Sequence, residues 1–317
     1  MIETDRLTEL LAWPQLIDGL DEIFRKSYCC PIRHHHDIMV PGADDATLLL
    51  MPAWVEGEYL GVKQVNVFPG NARDGLPGLN SHYLLSCANT GALLARLDGN
   101  IITGRRTAAA SALATRYLSR EDSRRLLIVG AGRVARQVVP ATMSVRDIQR
   151  IDIWNIDYQQ GAAFAEELRA EGLDAHAVEV DKLEETVGQA DIISCATLSK
   201  KPLILGDWVE PGTHVDLIGS FTPHMREADD VLMAKSEVFV DFMEAALQET
   251  GDLIDPIRSG ALNPADIRAD FTDLSRNRHQ GRSELPSPQE AITVFKAVGS
   301  SIEDLAAAVL AYNQLKM

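Results

Sequence analysis

Three basic residues in the first third of the chain sit where a charge is awkward. In Gly61-Val62-Lys63-Gln64-Val65-Asn66-Val67, period-two alternation puts Lys63 on the same face as Val65 and Val67. An ammonium among valines costs desolvation unless it meets an anion. The other reading is an edge strand whose lysine snorkels outward. Arg105 and Arg106 follow Thr103-Gly104 in what the sequence predicts as the first turn of a helix, where the dipole disfavours cations. An anion bound there would reverse the sign; two solvated arginines would each cost roughly a few tenths of a kcal/mol. Arg33, in Pro31-Ile32-Arg33-His34-His35-His36, gains meaning only beside the others. Three consecutive histidines cannot all face one ion from a strand, so that run reads as polar surface or loop, and no metal is expected.

A second constellation is Leu126-Leu127-Ile128-Val129-Gly130-Ala131-Gly132-Arg133-Val134-Ala135, a strand running into G-x-G-x-x-A and then a helix. Gly130 permits the tight turn, Gly132 lets a pyrophosphate approach the backbone, and Ala135 keeps helix and strand close. The helix start offers unpaired N–H groups and a positive dipole end. A glycine motif alone is weak; its place between strand and helix in a βαβ pattern makes it a dinucleotide site. About 25 residues on, where a ribose-binding acid is expected, the next strand ends Trp154-Asn155-Ile156-Asp157. Asn155 takes the usual acidic position, Asp157 follows, and no arginine stands by to clamp a 2′-phosphate. The pattern favours NAD(H) over NADP(H).

The elements that position these groups fall into two styles. Before Leu118 the sequence predicts a helix over Leu7–Lys26, strands at Ala46–Pro52, Tyr59–Phe68, Ser81–Cys87 and Ala92–Leu97, and a loop over Pro69–Gly78. A helix then begins near Thr103 and runs through Ala108–Tyr117. From Arg124, strands at Leu126–Val129, Ile151–Trp154, Ala175–Val180, Asp191–Cys195, His214–Ile218 and Val238–Asp241 are interleaved with helices, the signature of an α/β doubly wound parallel sheet. A capped helix closes the chain from Ser300 or Ser301 through Leu315. Asp304 in its first turn is either a second acid for chemistry or a helix-start carboxylate.

A chain of 317 residues can hold two domains. Its net charge of −16 argues against nucleic acid and anionic lipid as partners. Its apolar runs are strand-length, too short for a membrane span, and the start Met1-Ile2-Glu3-Thr4-Asp5-Arg6 does not resemble a secretory signal, so a cytoplasmic location is expected. Cys29, Cys30, Cys87 and Cys195 form neither a C-x-x-C pair nor a disulfide framework and read as buried or idle thiols.

Several ordered segments add up to a resemblance. They are Gly61-Val62-Lys63 followed by Pro69 and Asn71, the run Thr103-Gly104-Arg105-Arg106-Thr107-Ala108-Ala109-Ala110-Ser111, Pro211-Gly212-Thr213-His214, Ile218-Gly219-Ser220, Pro223 with Arg226-Glu227, and Thr293 through Gly299. Together they resemble the ornithine cyclodeaminase/mu-crystallin family over nearly the whole chain. The resemblance implies a homodimer and two domains: a Rossmann domain at 119–299, and an α+β substrate-binding and dimerisation domain formed by 1–118 with 300–317. It also implies an imino- or amino-acid substrate whose carboxylate is held by Arg33, Lys63 and Arg106. Dinucleotide contacts are implied at Thr107, Gly130, Gly132, Arg133, Val134, Ala135, Asn155, Asp157, Ala196 and Gly219; Thr107 could equally cap its own turn.

One departure bears on the reaction. Cyclodeaminases of the family carry a basic aspartate just after the Gly219-Ser220 position, where this chain reads Phe221-Thr222-Pro223. Without that carboxylate, ammonia loss lacks its proton acceptor, and Phe221 instead suggests a dry wall for a flat cyclic imine. The expected activity is therefore NAD(P)H-dependent reduction of a cyclic ketimine carboxylate: Δ1-pyrroline-2-carboxylate to L-proline, with Δ1-piperideine-2-carboxylate to L-pipecolate beside it, and Lys63 as the catalytic residue. The alternatives are an alanine-type amino-acid dehydrogenase, an ornithine cyclodeaminase and a non-catalytic NAD(P)H-binding module.

Overall fold

The computed structural model describes residues 4–316. Its helices are α1 (Thr4–Leu10), α2 (Trp13–Arg25), α3 (Gly99–Leu118), α4 (Arg133–Met143), α5 (Tyr158–Ala170), α6 (Leu183–Val187), α7 (Asp230–Lys235), α8 (Met243–Glu249), α9 (Gly251–Ser259), α10 (Phe271–Ser275) and α11 (Ser301–Gln314). The chain divides into two compact units, one running to Thr107 and resuming at Ser300, the other spanning Ala108–Gly299. The boundary lies inside α3 rather than at its end.

The first unit is an antiparallel sheet of β1 (Tyr28–Cys29), β2 (His34–Ile38), β3 (Ala46–Val55), β4 (Tyr59–Val67), β5 (Leu79–Cys87) and β6 (Leu93–Asp98). The strand order is β1-β3-β4-β5-β6, with β2 also paired to β3. Burial alternates along the central strands, so Gly61, Lys63 and Val65 of β4 and Ser81, Tyr83 and Leu85 of β5 turn to the same covered face. Helix α11 packs on β3, β4, β5 and β6 and against α2, and its residues from Ser301 to Ala308 are all buried. A capping box starts it: the Ser300 hydroxyl and the Glu303 carboxylate satisfy each other's backbone N–H groups.

Four features of this unit depart from the sequence reading. The helix expected over Leu7–Lys26 is broken into α1 and α2, because Pro14 supplies no N–H and is seated in the first turn of a new helix. The Pro69–Gly78 loop contains a 3-10 helix at Pro69–Asp74. His34–His36 lie not in a loop but on β2, exposed along its whole length. Helix α3 begins at Gly99 rather than near Thr103, because the Asp98 carboxylate accepts hydrogen bonds from the Asn100 and Ile101 N–H groups (2.8 and 3.3 Å). Arg105 and Arg106 are therefore past the first turn, and the helix dipole has no hold on them.

The second unit is a seven-stranded parallel sheet of β7 (Arg125–Val129), β8 (Arg150–Trp154), β9 (Ala175–Val178), β10 (Ile192–Cys195), β11 (His214–Leu217), β12 (Glu237–Val240) and β13 (Thr293–Lys296). Its order is β12-β13-β11-β10-β7-β8-β9. The strands read as short apolar runs because helices cover both faces, as α/β doubly wound sheets require. Leu127, Val129, Ile193, Cys195, Val215, Leu217, Val238 and Val294 meet in one core, and each such side chain contributes about 1.5–3 kcal/mol of burial. The unexpected strand is β13, which inserts between β11 and β12. The order runs outward from β7 to β9 and then returns to β10, so the switch point falls between β7 and β10.

Candidate active site

In the first unit, the covered sheet face gathers four charged groups. Lys63, 2% exposed, projects from β4 and makes an ion pair with Asp304 of α11, Nζ to Oδ2 2.7 Å. Arg106 of α3 donates through Nε to Asp304 Oδ1 (3.0 Å) and through Nη1 to Glu303 Oε2 (2.8 Å). Both carboxylates are fully buried. The anion that Lys63 requires is thus intrinsic, and a single carboxylate bridges it to Arg106. Burial is the largest influence on the Lys63 ammonium; Asp304 opposes it, Arg106 and Arg33 reinforce it, and the pKa falls to about 8. Arg33, half-buried just before β2, therefore belongs to the same electrostatic neighbourhood.

Arg105 does not join this group. One residue along a helix is about 100° of rotation, and its Nη2 donates to the Thr8 carbonyl (2.9 Å) while the guanidinium lies 3.9 Å over the Trp13 ring. The sequence reads Asp304 either as a second acid or as a helix-start acid. It is the latter, in the first turn of α11, and also the hub of the charged cluster. Glu303 is legible in the sequence through its capping-box spacing from Ser300, but its ion pair with Arg106 is not.

In the second unit, a cavity of about 710 Å³ opens at the C-terminal ends of β7, β8 and β10. This is the switch point, where open α/β sheets bind ligands. Gly130, Gly132, Asn155 and Ala196 line it, with Trp154 and Leu203 supplying apolar surface. Gly130 has φ +115°, and a Cβ there would meet the Ala196 carbonyl at 2.7 Å; a Cβ on Gly132 would meet nothing. The first glycine thus serves the turn, and the second leaves open space over the start of α4 where a pyrophosphate can pass. Arg133, Val134 and Ala135 form the first turn of α4, whose leading N–H groups suit phosphate. These residues fit a dinucleotide.

Asp157 does not line the cavity: its carboxylate caps α5, accepting from Gln159 N and Gln160 Nε2 (both 3.0 Å). Thr107 is buried in α3, one residue beyond Arg106. Phe221 lies in the loop after β11, just before a turn at Pro223 and His224, and is 48% exposed.

A network that the sequence did not disclose fixes two of the surrounding loops. Glu227 accepts from Thr197 N and Oγ1 (both 2.8 Å) and from Gly219 N (2.7 Å). Behind it, Lys296 of β13 is ion-paired with Asp252 at 3.1 Å, both fully buried. Burial raises the Glu227 pKa to about 7, Lys296 opposing and Asp252 assisting.

Comparison with known proteins decides the family. The ornithine cyclodeaminase/mu-crystallin family profile matches residues 2–317. The chain belongs to this family. A Delta(1)-pyrroline-2-carboxylate reductase of Paracoccus denitrificans is 40% identical over 299 residues, covering 94% of this chain and 91% of the relative. The solved structure of Thermococcus litoralis Delta(1)-pyrroline-2-carboxylate reductase in complex with NADH and L-proline superposes with a TM-score of 0.88 at 33% identity, covering 98% of this chain and 96% of that one. An archaeal alanine dehydrogenase dimer with bound NAD gives a TM-score of 0.88 at 27% identity, covering 99% and 94%.

Proposed function

We propose that this protein is an NAD(P)H-dependent reductase of cyclic ketimine carboxylates, converting Δ1-pyrroline-2-carboxylate to L-proline and Δ1-piperideine-2-carboxylate to L-pipecolate. The observation that carries the reading is the buried Lys63 ammonium, adjoined by Arg106 and Arg33 and held at a pKa of about 8. It is supported by the reductase relative at 40% identity and by the neighbouring structure that holds NADH and L-proline.

Bound NADH or NADPH supplies the hydride that, with one proton, reduces the ring imine to a secondary amine. Arg33 and Arg106 hold the substrate carboxylate, for which planar guanidinium donors are suited. Lys63 orients that carboxylate and gives a proton from Nζ to the imine nitrogen, which a pKa near 8 permits at neutral pH. Asp304 keeps the lysine charged despite its burial and returns it to the ammonium form once solvent restores the proton. Phe221 forms an apolar wall beside the ring. The cofactor is held by Gly130, Gly132, the first turn of α4, Asn155, Ala196 and Gly219, with Thr107 as a further contact, whereas the Asp157 carboxylate stays on the start of α5. The unit formed by the two ends of the chain is the substrate-binding and dimerisation domain, and the assembly is a homodimer, in line with the dimeric alanine dehydrogenase neighbour.

The test is oxidation of NADH and NADPH followed with Δ1-pyrroline-2-carboxylate, Δ1-piperideine-2-carboxylate, pyruvate plus ammonia, and ornithine with NAD⁺. Turnover of a cyclic imine at least about a hundredfold faster than the other substrates is expected, a difference of roughly 2.7 kcal/mol in transition-state binding. Faster reaction with pyruvate and ammonia would replace this reading with an amino-acid dehydrogenase.

A further inference from the structure

We propose that the cavity at the ends of β7, β8 and β10 is built to accept a 2′-phosphorylated dinucleotide, with Lys200 and Lys201 receiving the phosphate. The inference rests on the dinucleotide reading above and adds a specificity site to it.

A carboxylate at the end of the second strand of a Rossmann sheet bonds the ribose hydroxyls and repels a 2′-phosphate. Here Asn155 stands at that position, and its amide is uncharged. Asp157 is the nearest acid along the chain, but it lies off the cavity and its carboxylate is engaged in capping α5. The sequence offers no arginine after Asn155. The structure brings cations from elsewhere: the loop after β10 delivers Lys200 and Lys201 to the same cavity as Asn155 and Ile156.

The lining contains these two lysines and no carboxylate. In a chain with 46 acidic and 30 basic residues, an acid-free basic lining runs against the composition. Neither ammonium is within ion-pairing distance of a carboxylate among the described residues, whereas most exposed cations of the second unit are paired. The loop is also held before any ligand arrives. Ser199 Oγ donates to the Lys201 carbonyl (2.6 Å), Arg226 N donates to the Ser199 carbonyl (2.9 Å), and Thr197 is anchored on Glu227. A fixed backbone bearing two lysines lowers the ordering cost of binding a phosphate, and lysine serves phosphate as a point charge.

The test is direct binding, without imine, of NADPH and NADH to the full-length protein and to Lys200→Ala/Lys201→Ala, by nucleotide fluorescence or calorimetry. The wild type should bind NADPH at least as tightly as NADH. The double variant should lose roughly tenfold or more for NADPH, the size of one charge-assisted contact, and markedly less for NADH. Lys200→Gln and Lys201→Gln singly, with circular dichroism for folding, give the same comparison if the double variant is unstable. Equal losses for both nucleotides would place the lysines on the shared pyrophosphate and overturn the proposal. So would unchanged NADPH affinity, or a wild type that binds NADH and not NADPH. That last result would leave the imine reductase reading intact, whereas failure to bind either nucleotide would remove both.

Discussion

Lys63 and Asp304 lie in contact, 2.7 Å from Nζ to Oδ2, and both are withdrawn from water. The same carboxylate accepts from Arg106 Nε. One acid therefore pairs with two cations, the second negative charge coming from Glu303, and each partner depends on it differently.

Asp304→Asn should be costly for folding. It removes the carboxylate charge that pairs with both Lys63 and Arg106, and removing one member of a buried pair typically costs about 3–5 kcal/mol. Urea unfolding of the variant should show a loss on that scale. Lys63→Ala should instead abolish imine turnover while NADH binding, measured by fluorescence, stays near the wild-type value. Retained turnover in Lys63→Ala would remove Lys63 from the chemistry.

The proton on Lys63 sets an alkaline limit. Its pKa is lowered to about 8, so the ammonium is lost as pH rises through that value. If the proton is needed, log kcat/KM should fall with a slope of −1 above about pH 8. A milder substitution, Asp304→Glu, keeps the charge and should retain the limb. A profile flat to about pH 9.5 would mean that another donor protonates the imine. The folded state releases this proton more readily than an unfolded lysine would. Lys63 therefore opposes folding below about pH 8, and that penalty is relieved as pH rises further.

The two glycines of the phosphate turn should separate stability from binding. Gly130→Ala forces a Cβ onto a residue at φ +115°, 2.7 Å from the Ala196 carbonyl, and should cost about 1–3 kcal/mol of stability. Gly132→Ala meets open space, so its stability should change by about 1 kcal/mol at most. Its methyl group would stand in the path of the pyrophosphate, and NADH affinity should drop about tenfold or more, a change of roughly 1.4 kcal/mol.

Glu227→Gln should change how stability depends on pH. The folded pKa of Glu227 is raised to about 7, so its contribution is fully present below the ordinary carboxylate range and is lost as pH rises through about 7. Between about pH 5 and 8 the wild type should lose on the order of 1–3 kcal/mol relative to Glu227→Gln, measured by denaturant unfolding at each pH. Parallel curves for the two proteins would show that Glu227 does not titrate in this range.

The features legible in the sequence were those written locally. The strand, Gly130, Gly132 and the following helix form one continuous segment whose backbone demands are met by its own residues. Lys63 could be flagged because alternation along one strand places it among valines. Its partner could not, since nothing along the chain links β4 to the first turn of α11. The start of α3 lies earlier than the alanine-rich run suggests because Asp98, which caps it, stands before Gly99 and Asn100, residues that favour turns. Strand β13 escapes because Thr293-Val294-Phe295, though strand-forming, is too short a run before the buried Lys296; that lysine is tolerated through its ion pair with Asp252, which is remote in sequence. Lys200 and Lys201 carry no signal along the chain; only the fold brings them to the cavity that Asn155 lines.

Helix α11 has a consequence for biosynthesis. It covers the sheet on which Lys63 sits and supplies both acids of the charged cluster, yet it leaves the ribosome after every other described element. The intervening parallel sheet is complete once β13 emerges, so it can close first, while the early strands wait with an uncovered apolar face and two unneutralised cations. Contacts of such long sequence separation form late and slowly. Nascent chains arrested before α11 should thus resist proteolysis over Ala108–Gly299 and be cut readily within the first hundred residues, a vulnerability that ends only when α11 docks.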